Sequence, residues 1–141
     1  MTGAQRGHRA LSHTADVILE AWAPDLASCC EEAVAALVET FAVTERAEVV
    51  GEHHLFLRPA TPQSLLVGVV DEAIFVLDTA DEVPVGATVR ATVDGGLEVV
   101  LAMADRTTVE GTGAAPKAVS LSGLEVDTRQ DHVRCRLLID L

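Results

Sequence analysis

A chain of 141 residues is the size of one domain and long enough to bury a core of its own. Its 22 acidic residues against 10 Lys and Arg leave a formal charge of -12, which argues against phosphate-driven nucleic-acid binding; it fits a basic protein partner or a cation, though on composition alone a charge that simply keeps the protein soluble is the better reading. Aromatic residues make up 3%, with no Tyr, so the core rests on Val, Leu, Ile and Ala, and a base-stacking platform for single-stranded RNA is disfavoured as well.

Residues 1–10 carry basic side chains without the apolar stretch of a secretory leader, and read as a flexible extension before a single domain. From Ala15 to Ala23 the sequence alternates, with Val17, Leu19 and Ala21 on one side and Asp16, Ile18, Glu20 and Trp22 on the other, the period of a strand. Pro24-Asp25 stops it, and Asp25 is placed to cap a helix. Residues 26–41 then put Leu26, Cys30, Ala33, Val34, Leu37 and Phe41 on one stripe at helical spacing, a face for the core. Residues 48–58 read as a second strand, in which His53 and His54 are adjacent, point to opposite faces and cannot hold one ion together.

Thr61 followed by Pro62 is a helix start, and Leu66, Val69, Val70, Ala73, Val76 and Leu77 form the buried stripe of a second helix. Asp71 and Glu72 interrupt this most apolar stretch of the chain, so no segment is expected to span a membrane. Residues 86–93 and 97–104 read as strands joined across Asp94-Gly95-Gly96, and residues 117–126 and 132–141 as a second hairpin. Strands flanking two helices, then a run of hairpins, predict an α+β fold with two helices packed on a largely antiparallel β-sheet. The three Cys, two of them adjacent at 29 and 30, form neither a disulfide framework nor a paired zinc motif. Cys30 and Cys135 fall on apolar faces, and buried reduced thiols suit the cytoplasm.

Gly111-Thr-Gly-Ala-Ala-Pro-Lys-Ala-Val119 has only a superficial likeness to a phosphate loop: it lacks the Gly-Lys-Ser/Thr ending, and Pro116 removes a backbone donor. Ser120 and Ser122 lie in no Gly-x-Ser-x-Gly elbow. The five His include no His-Glu-x-x-His pair, and His53, His54 and His132 read as structural hydrogen-bonding residues. The carboxylates carry more. In residues 132–141, Val133, Cys135, Leu137 and Ile139 share one face and Arg134, Arg136, Leu138 and Asp140 the other, while the main-chain carboxylate of Leu141 adjoins Asp140. If this strand pairs near the start of the first, Asp16 joins them. Carboxylates 4 Å apart repel by roughly 4 kcal/mol per pair at an effective dielectric of 20, so such a cluster needs a shared proton or a cation. All-oxygen donors select Ca²⁺, Mg²⁺ or Mn²⁺ over zinc. The alternative is that Asp16 caps a turn and Asp140 is a solvated end.

His13-Thr14-Ala15-Asp16, then a strand and an amphipathic helix through Phe41, resembles the opening of the archease family. Residues 64–79 are similar to that family's second helix, Lys117-Ala118-Val119 to its Lys-Ala-Val/Ile-Thr strand, and Leu138-Ile139-Asp140-Leu141 to its terminal motif. The resemblance implies a small acidic α+β protein, not itself an enzyme, that is a cofactor of the GTP-dependent tRNA-splicing RNA ligase and promotes its guanylylation and multiple turnover. It implies a divalent metal ion at Asp16, Asp140 and the terminal carboxylate of Leu141, with His13 and Lys117 as partner contacts beside it. Neither direct nucleic-acid binding nor a membrane is implied. The chain departs from the family pattern at Ser120-Leu121-Ser122, where Thr-Tyr-His is usual, and in a shorter loop before Lys117. Two rival readings are a metal-dependent hydrolase using the same carboxylates and a general chaperone or binding module. The chain offers the hydrolase no obvious general base.

Overall fold

Local chemistry sets where both helices begin. Asp25, in extended conformation, accepts the Ser28 N–H at 2.7 Å and starts α1 (Leu26–Glu39). Thr61 accepts the Ser64 N–H at 3.2 Å and starts α2 (Pro62–Thr79), whose first residue is a proline with no N–H to leave unpaired. The computed structural model describes residues 5–12 and 16–141. Its strands are β1 (Gly7–Ser12), β2 (Asp16–Ala23), β3 (Ala42–Val43), β4 (Val49–Leu57), β5 (Val83–Ala91), β6 (Leu97–Ala104), β7 (Glu110–Gly111), β8 (Ala118–Arg129) and β9 (His132–Asp140).

The α+β class is as the pattern predicts, and the pairings among the described residues are all antiparallel. They divide into a four-stranded sheet ordered β1-β2-β9-β8, a three-stranded sheet ordered β4-β6-β5, and the short pair β3-β7. Both helices touch both larger sheets: α1 packs on β2 and β5, and α2 on β8 and β5. The reason is in the helices. Besides the predicted stripe, α1 buries Cys29, Ala36 and Val38, and α2 buries Leu65 and Ile74. A helix apolar on two sides needs a layer on each. Leu19, Leu37, Leu66, Leu101, Leu137 and Ile139, from both sheets and both helices, belong to one continuous core. The strand expected from residue 86 begins at Val83; Pro84 is tolerated because β5 is an edge strand.

Residues 7–10, expected in a flexible extension, are instead part of β1, which pairs with β2 from Gly7↔Trp22 to Ser12↔Val17. Its sequence shows no apolar alternation, and polar ties to α1 hold it in its place. Arg6 meets Glu31 at 3.1 Å, and His8 lies between Glu32, at 2.8 Å, and Glu39. Gly7 lies against the Trp22 ring, which a Cβ there would approach to 2.5 Å. Burial pulls His8 down, but its bonds to Glu32 and Glu39 outweigh this and hold it above its ordinary 6.5. Burial likewise raises Glu32, and His8 and Arg6 more than offset it, leaving the carboxylate below its usual range.

The raised His8 contributes stability that is complete below the unfolded-state value and lost as pH rises through the folded one. Depressed Glu32 contributes stability that is lost as pH falls into the carboxylate range. The deficit of His8→Ala relative to the parent should therefore shrink from about pH 6 to about pH 9, read as urea midpoints. Equal deficits at both would refute the tie.

Candidate metal-binding site

Asp16 opens β2 and Asp140 closes β9, and the antiparallel register places them directly opposite one another. That register cannot slip cheaply. Val17, Leu19, Ala21 and Ala23 face the core together with Val133, Cys135, Leu137 and Ile139, and a one-residue shift would turn either row to the other face. The same alternation turns Asp16 and Asp140 away from the core. Directly opposed residues have Cβ atoms about 5 Å apart, and like charges so placed destabilise the pair.

Asp16 Oδ1 is buried and makes no hydrogen bond among the described residues. A buried oxygen left without a donor costs about 1–3 kcal/mol, and here a second carboxylate faces it. A cation answers both defects, so the two residues present fit a hard divalent ion. Among the described residues, no three His, Cys, Asp or Glu side chains converge on a common point for a metal. The register alone provides two carboxylates.

Lys117 reaches the site through its backbone: its N–H donates to the Asp140 carbonyl at 2.8 Å, where β8 joins β9 at Ala118↔Asp140. Leu141 packs its side chain against the core, which positions the main chain just beyond Asp140. The structure thus brings Asp16, Asp140, Leu141 and Lys117 to one end of the four-stranded sheet. His13 lies outside the described residues.

Next to this end lies an open cleft of about 930 Å³, walled on one side by Asp71, Phe75 and Asp78 of α2 and on the other by residues 114–118, with Leu141 also lining it. The sequence pattern singles out only the buried stripe of α2. The available signal for this wall is an acid-aromatic-acid run at helical spacing, Asp71, Phe75 and Asp78.

The remaining sequence candidates are structural. His53 bonds Glu72 at 2.6 Å and His54 bonds Glu52 at 3.1 Å. In the glycine-rich segment, Gly111 is strand and the Thr112 N–H donates to the Phe41 carbonyl at 2.9 Å, so that donor is not free for a phosphate. All three Cys are buried, with Cys29 Sγ 3.7 Å from Cys135 Sγ. The Cys135 contact and burial push the Cys29 thiol up, and burial pushes Cys30 up to about 12, so both stay protonated.

The model of the archease protein family matches residues 8–141. Two Mycobacterium tuberculosis proteins, from strains CDC 1551 / Oshkosh and ATCC 25618 / H37Rv, each called "Probable protein archease", are 40% identical over 139 residues, covering 99% of this chain and 77% of theirs. Among solved structures, Methanobacterium thermoautotrophicum protein 1598 is similar with a TM-score of 0.76 at 24% identity, over 96% of this chain and 99% of that one. A Thermotoga maritima archease, described as a possible chaperone, has a TM-score of 0.68 at 17% identity, over 93% and 94%. At those identities the two structures speak for the shared fold.

Proposed function

The chain belongs to the archease protein family, and from that premise we propose that it is a non-catalytic, metal-binding activator of a GTP-dependent tRNA-splicing RNA ligase. The observation that carries this reading is the opposed pair Asp16 and Asp140, with a buried Asp16 oxygen that no donor among the described residues satisfies. These two side chains would hold Ca²⁺, Mg²⁺ or Mn²⁺, with the main-chain carboxylate of Leu141 as third oxygen donor. Bound there, the ion would offset the carboxylate charge and offer a positive centre for phosphate oxygens.

The chain's own residues do the rest. A net charge of -12 draws the protein to a cationic surface, and in this reading the acidic end of the sheet enters the nucleotide-binding cleft of the ligase. There Asp16 and Asp140 help orient metal and GTP for guanylylation of the ligase, and Lys117 contacts the partner. RNA is bound by the ligase. Helices long and apolar enough to cross a membrane are absent among the described residues, and the reduced buried thiols accord with a cytoplasmic setting.

The experiment is multiple-turnover RNA ligation with and without the protein, after a pull-down from native lysate asks whether a ligase co-purifies. Stimulation at catalytic ligase concentrations supports the reading. Phosphoester cleavage by the protein alone would replace it with the hydrolase, and suppression of client aggregation without ligase stimulation with the chaperone.

A residue-level prediction concerns the end of β9. Appending residues after Leu141 moves the main-chain carboxylate away while leaving Asp140 and its strand partners in place. Calorimetric Ca²⁺ or Mn²⁺ affinity should fall about tenfold, the scale of one lost charge-assisted contact, with little change in melting temperature. Identical affinity for extended and unextended protein would remove Leu141 from the ligand set.

A further inference from the structure

The geometry points to the cleft beside the carboxylate pair as a docking site for an arginine side chain on a basic segment of a partner protein. Its wall is built on one helix face. Asp71, Phe75 and Asp78 are spaced four and three residues apart along α2, so they line up within two turns, with the ring between the carboxylates. Phe75 is 59% exposed, in a chain with only 3 Phe and 1 Trp, on a helix whose other apolar residues are largely buried. Across the cleft stand Ala114, Ala115 and Pro116, which leave room for a long side chain in about 930 Å³.

The charges select the guest. Among the lining side chains two carboxylates, of Asp71 and Asp78, stand against one cationic residue, Lys117, so the lining is net acidic. Among the described residues neither Asp71 nor Asp78 forms an ion pair within the chain. Burial raises Asp71, and the backbone N–H of Val119 only partly offsets it, so the carboxylate lacks a counter-charge that a guest cation would supply. An aromatic face between two acids suits a planar guanidinium better than an ammonium. The guanidinium stacks on the ring and offers paired donors to carboxylates, and its aliphatic stem covers the apolar wall. This inference rests on the ligase-activator reading only in taking the partner to be a protein that approaches this end of the molecule.

The test is an NMR titration of ¹⁵N-labelled protein with the peptide acetyl-Gly-Arg-Gly-Arg-Gly-amide and its lysine counterpart. Shifts should cluster at residues 71–78 and 114–118, with the arginine peptide binding more tightly. Phe75→Ala, which keeps the net charge, should weaken binding about threefold to fivefold. Asp71→Asn with Asp78→Asn should weaken it about tenfold. Glu52→Gln with Asp127→Asn, an equal charge change elsewhere on the surface, should leave it within about twofold. Shifts scattered over the acidic surface, equal affinity for the lysine peptide, or an unaffected Phe75→Ala would overturn the site. The two readings fail separately. A protein that takes the peptide in the cleft but does not stimulate a ligase refutes the activator, and one that stimulates while Phe75→Ala binds peptide normally refutes the cleft.

Discussion

Leu37→Asp should unfold most of what α1 holds together. Leu37 is 1% exposed, on a helix that packs against a strand of each larger sheet. A carboxylate there would have no partner in an apolar core, at a cost of about 4 kcal/mol or more. Against a typical total of about 5–15 kcal/mol, that is a large fraction. For a domain of this size the melting temperature should fall by roughly 15 °C, followed by circular dichroism. Leu37→Met, which keeps volume and polarity, should cost less than about 1.5 kcal/mol. An unchanged melting temperature in the Asp variant would overturn the placement of α1.

Asp16→Ala should separate folding from function. The substitution removes a like charge opposite Asp140 and an oxygen that is buried without a donor among the described residues. In the absence of metal the protein should therefore keep its stability or gain slightly, because both removed features oppose folding. Metal affinity should drop and ligase stimulation should be lost. If Asp16 were an ordinary turn cap, the same change would lose about 1 kcal/mol of folding stability and leave stimulation intact. Melting temperature without metal, measured beside multiple-turnover ligation, distinguishes these outcomes. Asp140→Asn, isosteric on the facing strand, should repeat the functional loss.

Local signals are legible where the residue itself supplies the physics. Asp25, Thr61 and Pro62 cap and start the helices where their side-chain oxygens and fixed φ require. Residues 97–104 are apolar at every position but Glu98, a run that suits the central strand of a sheet, and the observed strand has those bounds. β1 was not legible, since Gly7, His8 and Arg9 carry no alternation and are held by partners on β2 and α1. The two-residue pair β3 and β7 is too short for any period. The division into two sheets was hidden for a different reason. The helical spacing of the large apolar residues marks one face per helix, whereas Cys29, Ala36 and Ile74 make a second.

The candidate site divides in the same way. The sequence by itself determined that Asp16 begins an alternating strand, that Asp140 nearly ends one, and that each carboxylate lies on the face opposite its strand's apolar row. Side-chain period and composition are local properties, and they need no knowledge of the partner strand. Only the tertiary structure decided that these strands are neighbours and that their register sets Asp16 against Asp140. It also brought Lys117 to the same point through a bond to the Asp140 carbonyl, and placed Asp71, Phe75 and Asp78 beside Leu141. Pairing between opposite ends of a chain is chosen by the burial of whole apolar rows such as Val17, Leu19 and Ala21 against Ile139, Leu137 and Cys135. The carboxylates meet as a consequence of that burial, against their own repulsion, and this leaves a place for a cation.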